Sequence, residues 1–344
     1  MNALPLPLTV EEITPDWLTS ALSAGYLGTV VTDLVVRRVI WGTATKVMLE
    51  VSYASESPVP RRLCVKGGFR PELRPLMSLG YQVEALFYRD LSRNITGALT
   101  SYFAAADPSV DQGVVVMADL CADGHTFNDV SRPLTVDQAA AGLEALAVLH
   151  SGAGVDTPPW IPPTPHYRPL AMSTMIAPPS SAALAMHSPN VVALVENTSL
   201  LRGAFDAIWA DEDSGPQCLV HGDANYTNTV LDPDGHPRLL DWQFICRSAW
   251  THDVALFLIS VLSIEDRRRH ERELLEGHLK TLAALGAQQA DWDSCWASYR
   301  RHSVYGLTYA LVPPEMQPPE VCVPLADRFA AAASDLEAFA LLGA

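Results

Sequence analysis

Residues Leu219 to Gln243 read LVHGDANYTNTVLDPDGHPRLLDWQ, and their spacing sets the expectation for the whole chain. The polar loop His221-Gly222-Asp223 follows an apolar pair, and Asn228 stands five positions after Asp223. Thr229 to Asp232 alternates as a short strand, Asp232-Pro-Asp-Gly235 carries strong turn chemistry, and Arg238 to Leu240 reads as a second strand. A hairpin returns the chain to the edge it left. Asn228 at its entrance and Asp241 at its exit are therefore expected to converge beside Asp223.

Phosphoryl transfer to a hydroxyl needs a carboxylate near the acceptor, metal ligands that neutralise the phosphates, and a cation on the nucleotide. Asp223 supplies the first. Asn228 and Asp241 supply hard oxygen ligands of the kind magnesium takes. Singly, Asp223 and Asn228 are ordinary turn or cap residues; the ordered set with Asp241 is what is specific.

The segment resembles the catalytic and metal-binding loops of the protein-kinase-like superfamily, in the form used by aminoglycoside phosphotransferases, choline kinases and ecdysteroid kinase-like enzymes. In that form HGDxxxxN replaces HRDxxxxN, and a later Asp takes the place of the one in DFG. Here LLDWQ stands at that place, and Gln243 after Asp241-Trp242 is closest to the ecdysteroid kinase-like branch. The resemblance implies an α+β, bilobal protein-kinase-like fold. Its N-terminal lobe, residues 1–118, would hold an antiparallel β-sheet with a helix, and its larger, mostly α-helical lobe would span residues 119–344. It further implies ATP and Mg2+ as cofactors, with the γ-phosphate moved to a hydroxyl of a small molecule.

Site roles follow residue by residue from the same resemblance. Asp223 is the catalytic base, and Asn228 and Asp241 are the metal ligands. Lys66, at the end of the apolar strand LCVKG and one of only three lysines, contacts the nucleotide phosphates, with Glu84 as its ion-pair partner. Backbone groups near Met117 and Ala118 meet adenine. Gly42, Thr43 and Thr45 stand in the loop over the phosphates, which lacks the GxGxxG of protein kinases. Asp253, in WTHDVALF, braces the catalytic loop, and His221 orders it by hydrogen bonding.

Outside the motif, Thr14 to Ala24 predicts a capped helix, and VVTDLVVRRVI, TKVMLEVSY and RRLCVKG predict an antiparallel meander. Met77 to Leu91 predicts a helix with Leu79, Val83, Leu86, Phe87 and Leu91 on one stripe. VVVMADL at 114–120 is a further strand. From VDQAAAGLEALAVLH at 136–150 onward helices dominate, after which a Pro-rich connector, Pro158 to Pro169, is expected outside the core. VALFLISVL at 254–262 is too short to cross a bilayer and predicts a buried helix.

The net charge of -16 argues against nucleic acid and an anionic membrane as partners. Six scattered cysteines without a CxxC pair, and an N-terminal stretch without a basic start and apolar core, make the cytoplasm the expected compartment. No GxSxG elbow or Walker A sequence occurs. His221, Asp223, His236 and Asp241 also form a candidate ligand set for a hydrolytic metal centre, although His236 falls at the hairpin tip. A nucleotide-binding pseudokinase is the non-catalytic alternative. For the acceptor, aromatic residues including Trp160, Tyr167, Trp292, Trp296, Tyr305 and Tyr309 favour a hydrophobic or ring-containing alcohol, with an aminoglycoside or other antibiotic as the alternative.

Overall fold

The computed structural model describes residues 4–152, 157–163, 165–176, 184–287, 290–314 and 317–343. It divides into two compact units, Met1–Thr126 with Leu240–Phe244, and Phe127–Leu239 with Ile245–Ala344.

The first unit opens with α1 (Pro15–Ser23), where the Thr14 side chain accepts from Trp17 N and Pro15 sits at the first helical position. Leu18, Ala21 and Leu22 form its buried face. Strands β1 (Val31–Ile40), β2 (Thr45–Tyr53) and β3 (Arg62–Gly67) follow as the expected antiparallel meander. The sheet is completed by β4 (Ser101–Asp107) and β5 (Gln112–Ala118) in the order β1-β2-β3-β5-β4. β2 alternates between buried and half-buried positions, whereas β5 is buried at every position, as its unbroken VVVMA run requires of a central strand. Sequence patterning missed β4: SYFAAAD has no alternation, and in place it is a half-buried edge strand.

Helix α2 (Arg74–Asp90) packs on β4 and β5. It starts one turn earlier than expected, and Leu79 is 48% exposed, outside the stripe assigned to it. Val83, Phe87 and Leu91 of that stripe are buried as expected, and Gly80, Tyr81, Glu84 and Tyr88 join them on the inward side, which carries a carboxylate into the interior.

The second unit contains α3 (Val136–Ser151), α4 (Arg168–Ile176), α5 (Pro189–Glu196), α6 (Thr198–Ser214), α7 (Trp250–Val261), α8 (Ile264–Ala284), α9 (Trp292–His302), α10 (Pro319–Asp335) and α11 (Ala338–Leu342). A capping box between Thr135 and Gln138 starts α3. The VALFLISVL run lies in α7 up to Val261, with Leu262 as its C-cap, and the helix residues from Thr251 to Val261 are all buried. Among the described residues no helix is long and apolar enough to cross a membrane. The connector after α3 departs from expectation, because Ile161 and Tyr167 belong to the core. Residue 164 of that connector lies outside the described residues.

Short strands β6 (Cys218–Val220) and β9 (Cys246–Ser248) pair antiparallel in this unit. β7 (Thr229–Leu231) and β8 (Pro237–Leu239) form the expected hairpin, with Thr229 opposite Leu239 and Leu231 opposite Pro237. Asp232 builds the turn: its Oδ1 accepts from Asp234 N at 3.0 Å and His236 N at 2.8 Å.

Candidate active site

Each unit carries its own part of the motif. In the first, Lys66 lies on β3 opposite Lys46 of β2 and Val115 of β5, and its side chain is only 6% exposed. Its Nζ stands 2.7 Å from Glu84 Oε1 and 2.9 Å from Asp241 Oδ1. Burial by itself would lower the lysine's pKa, but the Asp241 and Glu84 carboxylates outweigh it and hold the ammonium above its ordinary value. Burial likewise pushes the Glu84 carboxyl up, against the pull of Lys66.

Asp241 reaches Lys66 because its own segment is docked on α2. Trp242, 1% exposed, stacks on Phe87 with ring centroids 3.9 Å apart and planes 10° from parallel. Two turns earlier on α2, Gly80 leaves room for Gln243, whose Cβ would lie 3.4 Å from any side chain added there. Asp241 has φ 63°, a left-handed conformation that Asp tolerates better than most residues and that functional positions often hold.

The other residues expected from the sequence to meet a nucleotide lie on the same sheet or in its β1–β2 loop. Gly42 and Thr43 are in the β1–β2 loop, and Tyr81 Oη of α2 donates to Thr43 O. Thr45 begins β2 fully buried, and its Oγ1 has no hydrogen-bond partner among the described residues. Met117 and Ala118 close β5 opposite Cys64 and Leu63. Immediately after them, Asp119 N donates to Arg62 O at 3.0 Å.

In the second unit, the loop after β6 is held by α7. Asp253, fully buried, accepts from His221 N at 2.6 Å and Gly222 N at 2.9 Å, the brace expected of it. Its Oδ2 also lies 3.0 Å from His150 Nε2. Burial would raise the Asp253 carboxyl, but the His150 hydrogen bond and charge hold it below the usual carboxylate range. His221 Nδ1 accepts from Asp223 N at 3.2 Å, so this histidine shapes the loop.

Both oxygens of Asp223 receive side-chain amides. Asn228 Nδ2 donates to Oδ2 at 2.7 Å and Asn225 Nδ2 to Oδ1 at 2.7 Å. This arrangement fixes the direction of the Asp223 carboxylate and leaves Asn228 Oδ1 as the atom that could take a cation. The hairpin then pairs Thr229, next after Asn228, with Leu239, two residues before Asp241.

Several residues of this part carried no sequence signal. Asn225 was one more loop amide. His252, Glu212 and His302 are far apart in the chain yet share a buried cluster: Glu212 Oε1 lies 3.3 Å from both His252 Nδ1 and His302 Nε2. His236 joins neither part. Among the described residues, the one trio of His and carboxylate ligand atoms within 4.8 Å of one another is Asp232, Asp234 and His236 at the hairpin turn. It shares only His236 with the hydrolytic ligand set considered from sequence.

A family model described as "DUF1679: Uncharacterized oxidoreductase dhs-27" matches residues 215–311. No curated protein matches the sequence significantly. Among solved structures, the choline kinase LicA, known from Streptococcus pneumoniae, in complex with AMP is 13% identical, with TM-score 0.53 over 94% of this chain and 98% of that one. A choline/ethanolamine kinase family protein from Mesorhizobium loti is 16% identical, with TM-score 0.50 over 95% and 97%. Spectinomycin phosphotransferase APH(9)-Ia in complex with ADP and spectinomycin is 13% identical, with TM-score 0.50 over 95% and 99%. At these identities the likeness is one of fold. By its antiparallel sheet, its helical second unit and these structural relatives, the chain has the fold of the protein-kinase-like small-molecule phosphotransferases, the superfamily that Leu219 to Gln243 resembles.

Proposed function

We propose that the chain is an ATP- and magnesium-dependent phosphotransferase that moves the γ-phosphate to a hydroxyl of a small organic molecule. The observation that carries this is Lys66, buried against both Glu84 and Asp241. One ammonium between two carboxylates leaves net negative charge, and Asp241, 20% exposed, is the partner that can present it to a further cation. The residues fit nucleotide and metal: Thr45 Oγ1 is a buried donor without a partner, and Asn228 and Asp241 offer hard oxygens. Magnesium, when bound there, neutralises phosphate charge.

Lys66, held by Glu84, steadies the α- and β-phosphates, while Gly42, Thr43 and Thr45 cover them and the backbone at Met117 and Ala118 meets adenine. Asp223 orients the acceptor hydroxyl and takes its proton as the new O–P bond forms and the bond to the β,γ-bridging oxygen breaks, releasing ADP. A hydride-transfer activity lacks support in the sequence, which has no GxGxxG fingerprint. ATP chemistry and unpaired thiols suit a cytoplasmic enzyme.

The acceptor we propose is a hydrophobic or ring-containing alcohol. The aromatic residues of the second unit support it, among them the half-buried Tyr309, whose ring lies 6.0 Å from that of Phe329. An aminoglycoside-type antibiotic is the alternative. The test is ADP formation from ATP and Mg2+ across a panel of ring alcohols, amino alcohols and aminocyclitols. Acceptor-dependent ADP that vanishes in Asp223→Ala supports the proposal; nucleotide binding without turnover across the panel favours a non-catalytic protein.

A further inference from the structure

The Gly222 peptide, which precedes Asp223, is gripped on both its polar groups by consecutive residues of α7. Asp253 Oδ1 accepts from Gly222 N at 2.9 Å, and His252 Nε2 lies 3.1 Å from Gly222 O. Gly222 has φ 82°, a conformation that a side chain would strain, so its orientation depends on such external holds.

His252 is fully engaged on its other edge as well. Its Nδ1 lies 3.3 Å from Glu212 Oε1 and 3.3 Å from Tyr167 Oη. Gly222 O and an ionised Glu212 only accept hydrogen bonds, and Tyr167 Oη can accept as well as donate, so an N–H on both ring nitrogens serves all three neighbours. That species is the imidazolium. Tyr167 stacks on the ring at 4.7 Å and Tyr305 meets it edge-on at 4.4 Å, so the ring has no freedom to turn.

We infer that His252, as an imidazolium tied to Glu212, is a positioning residue that fixes the Gly222 carbonyl and thereby the direction of Asp223. The inference rests on the phosphotransferase reading only where it speaks of turnover. The surrounding charges agree with it. Glu212 is fully buried and also accepts from Arg168 Nη2 at 2.7 Å, while His302 Nε2 shares its Oε1. Burial would raise the Glu212 carboxyl, but the hydrogen bonds from His252 and His302 hold it well below the usual range. Burial would lower His252, yet Glu212 first and Asp253 second hold it above its ordinary value. The other titratable groups facing the cluster, Tyr167, Tyr305 and Cys246, are all pushed up by burial and stay neutral.

The sign of the pH dependence follows. A raised histidine keeps its charge through neutrality and loses it as pH rises through the raised value, so the clamp weakens on the alkaline side. With an accepted alcohol, His252→Phe is expected to lower kcat about 10²-fold, with KM for ATP changed less than about twofold. His252→Gln keeps a donor for Gly222 O without the charge; it is expected to recover part of kcat and to lack the alkaline fall expected of the wild type.

Two readouts do not need turnover. In full-length protein labelled with 15N-histidine, both ring nitrogens of His252 are expected to be protonated at neutral pH. Amide exchange at Gly222 and Asp223 is expected to accelerate in His252→Gln. A singly protonated His252, or unchanged exchange, overturns the inference, as does an unchanged kcat in both variants. Absence of turnover in the wild type sinks the phosphotransferase reading instead, and the two spectroscopic readouts still decide the clamp.

Discussion

Lys66 Nζ stands 2.7 Å from Glu84 Oε1, and neither side chain is more than 6% exposed. A strand lysine and a helix glutamate thus make a closed ion pair inside the first unit, with Asp241 as second carboxylate. Deleting one member of such a set costs far more than replacing the pair, because the partner is left charged and dry.

Lys66→Ala is therefore expected to destabilise the protein by about 3 to 5 kcal/mol, measured by urea unfolding. The double variant Lys66→Met, Glu84→Leu is expected to lose clearly less than the sum of its single variants. Strict additivity in that cycle would show that the two residues do not act as a unit.

Asp223 and Asp241 are expected to fail differently. Asp223→Ala should lower turnover by about 10²- to 10⁴-fold while ATP affinity, read by calorimetry, stays near wild type. Asp241→Ala should weaken magnesium-dependent ATP binding as well. Equal loss of nucleotide affinity in both would contradict the division of labour between base and metal ligand.

His278 is a buried histidine whose Nδ1 donates to Leu143 O at 3.1 Å, and burial lowers its pKa from 6.5 to about 3. The unfolded chain binds this proton first, so stability is full above the ordinary value and falls as pH drops toward the folded one. At about pH 5 the loss is about 2 kcal/mol. Asp253 and Glu212, both lowered, release their contributions only below the ordinary carboxylate range, and the raised His252 contributes a constant amount below its ordinary value. His278→Gln should flatten most of the stability profile between about pH 6.5 and 5. An unchanged slope would remove His278 as its source.

Gly113 of β5 tests how closely α2 must approach the sheet. A Cβ there would lie 2.0 Å from Tyr81 O and 2.8 Å from Gln82 N, backbone atoms that cannot swing aside. Gly113→Ala is expected to cost about 3 kcal/mol in unfolding free energy and to displace the helix that carries Glu84. A variant as stable as the wild type would mean that this contact is looser than described.

What was legible in the sequence is what contiguous residues build by themselves. The hairpin of Thr229 to Leu239 follows from its turn chemistry, and the Asp223 to Asn228 spacing folds the loop so that one amide meets the carboxylate. Lys66 was legible because it ends an apolar strand in a chain with three lysines. The edge strand β4 was not, because it has neither alternation nor a fully buried run. The inward face of α2 was legible in part: Val83, Phe87 and Leu91 are buried as expected, but Leu79 fits the same apolar stripe and is exposed, and only the sheet beneath selects the face that carries Glu84. Asp241 meets Lys66 because Trp242 stacks on Phe87, and the Gly222 peptide meets His252 and Asp253 because α7 begins beside it. The sequence by itself determined which residues could do the chemistry, since residue type and short-range spacing are local. Tertiary structure alone decided which charges are buried together, because desolvation and pairing depend on segments that meet only when the chain is packed.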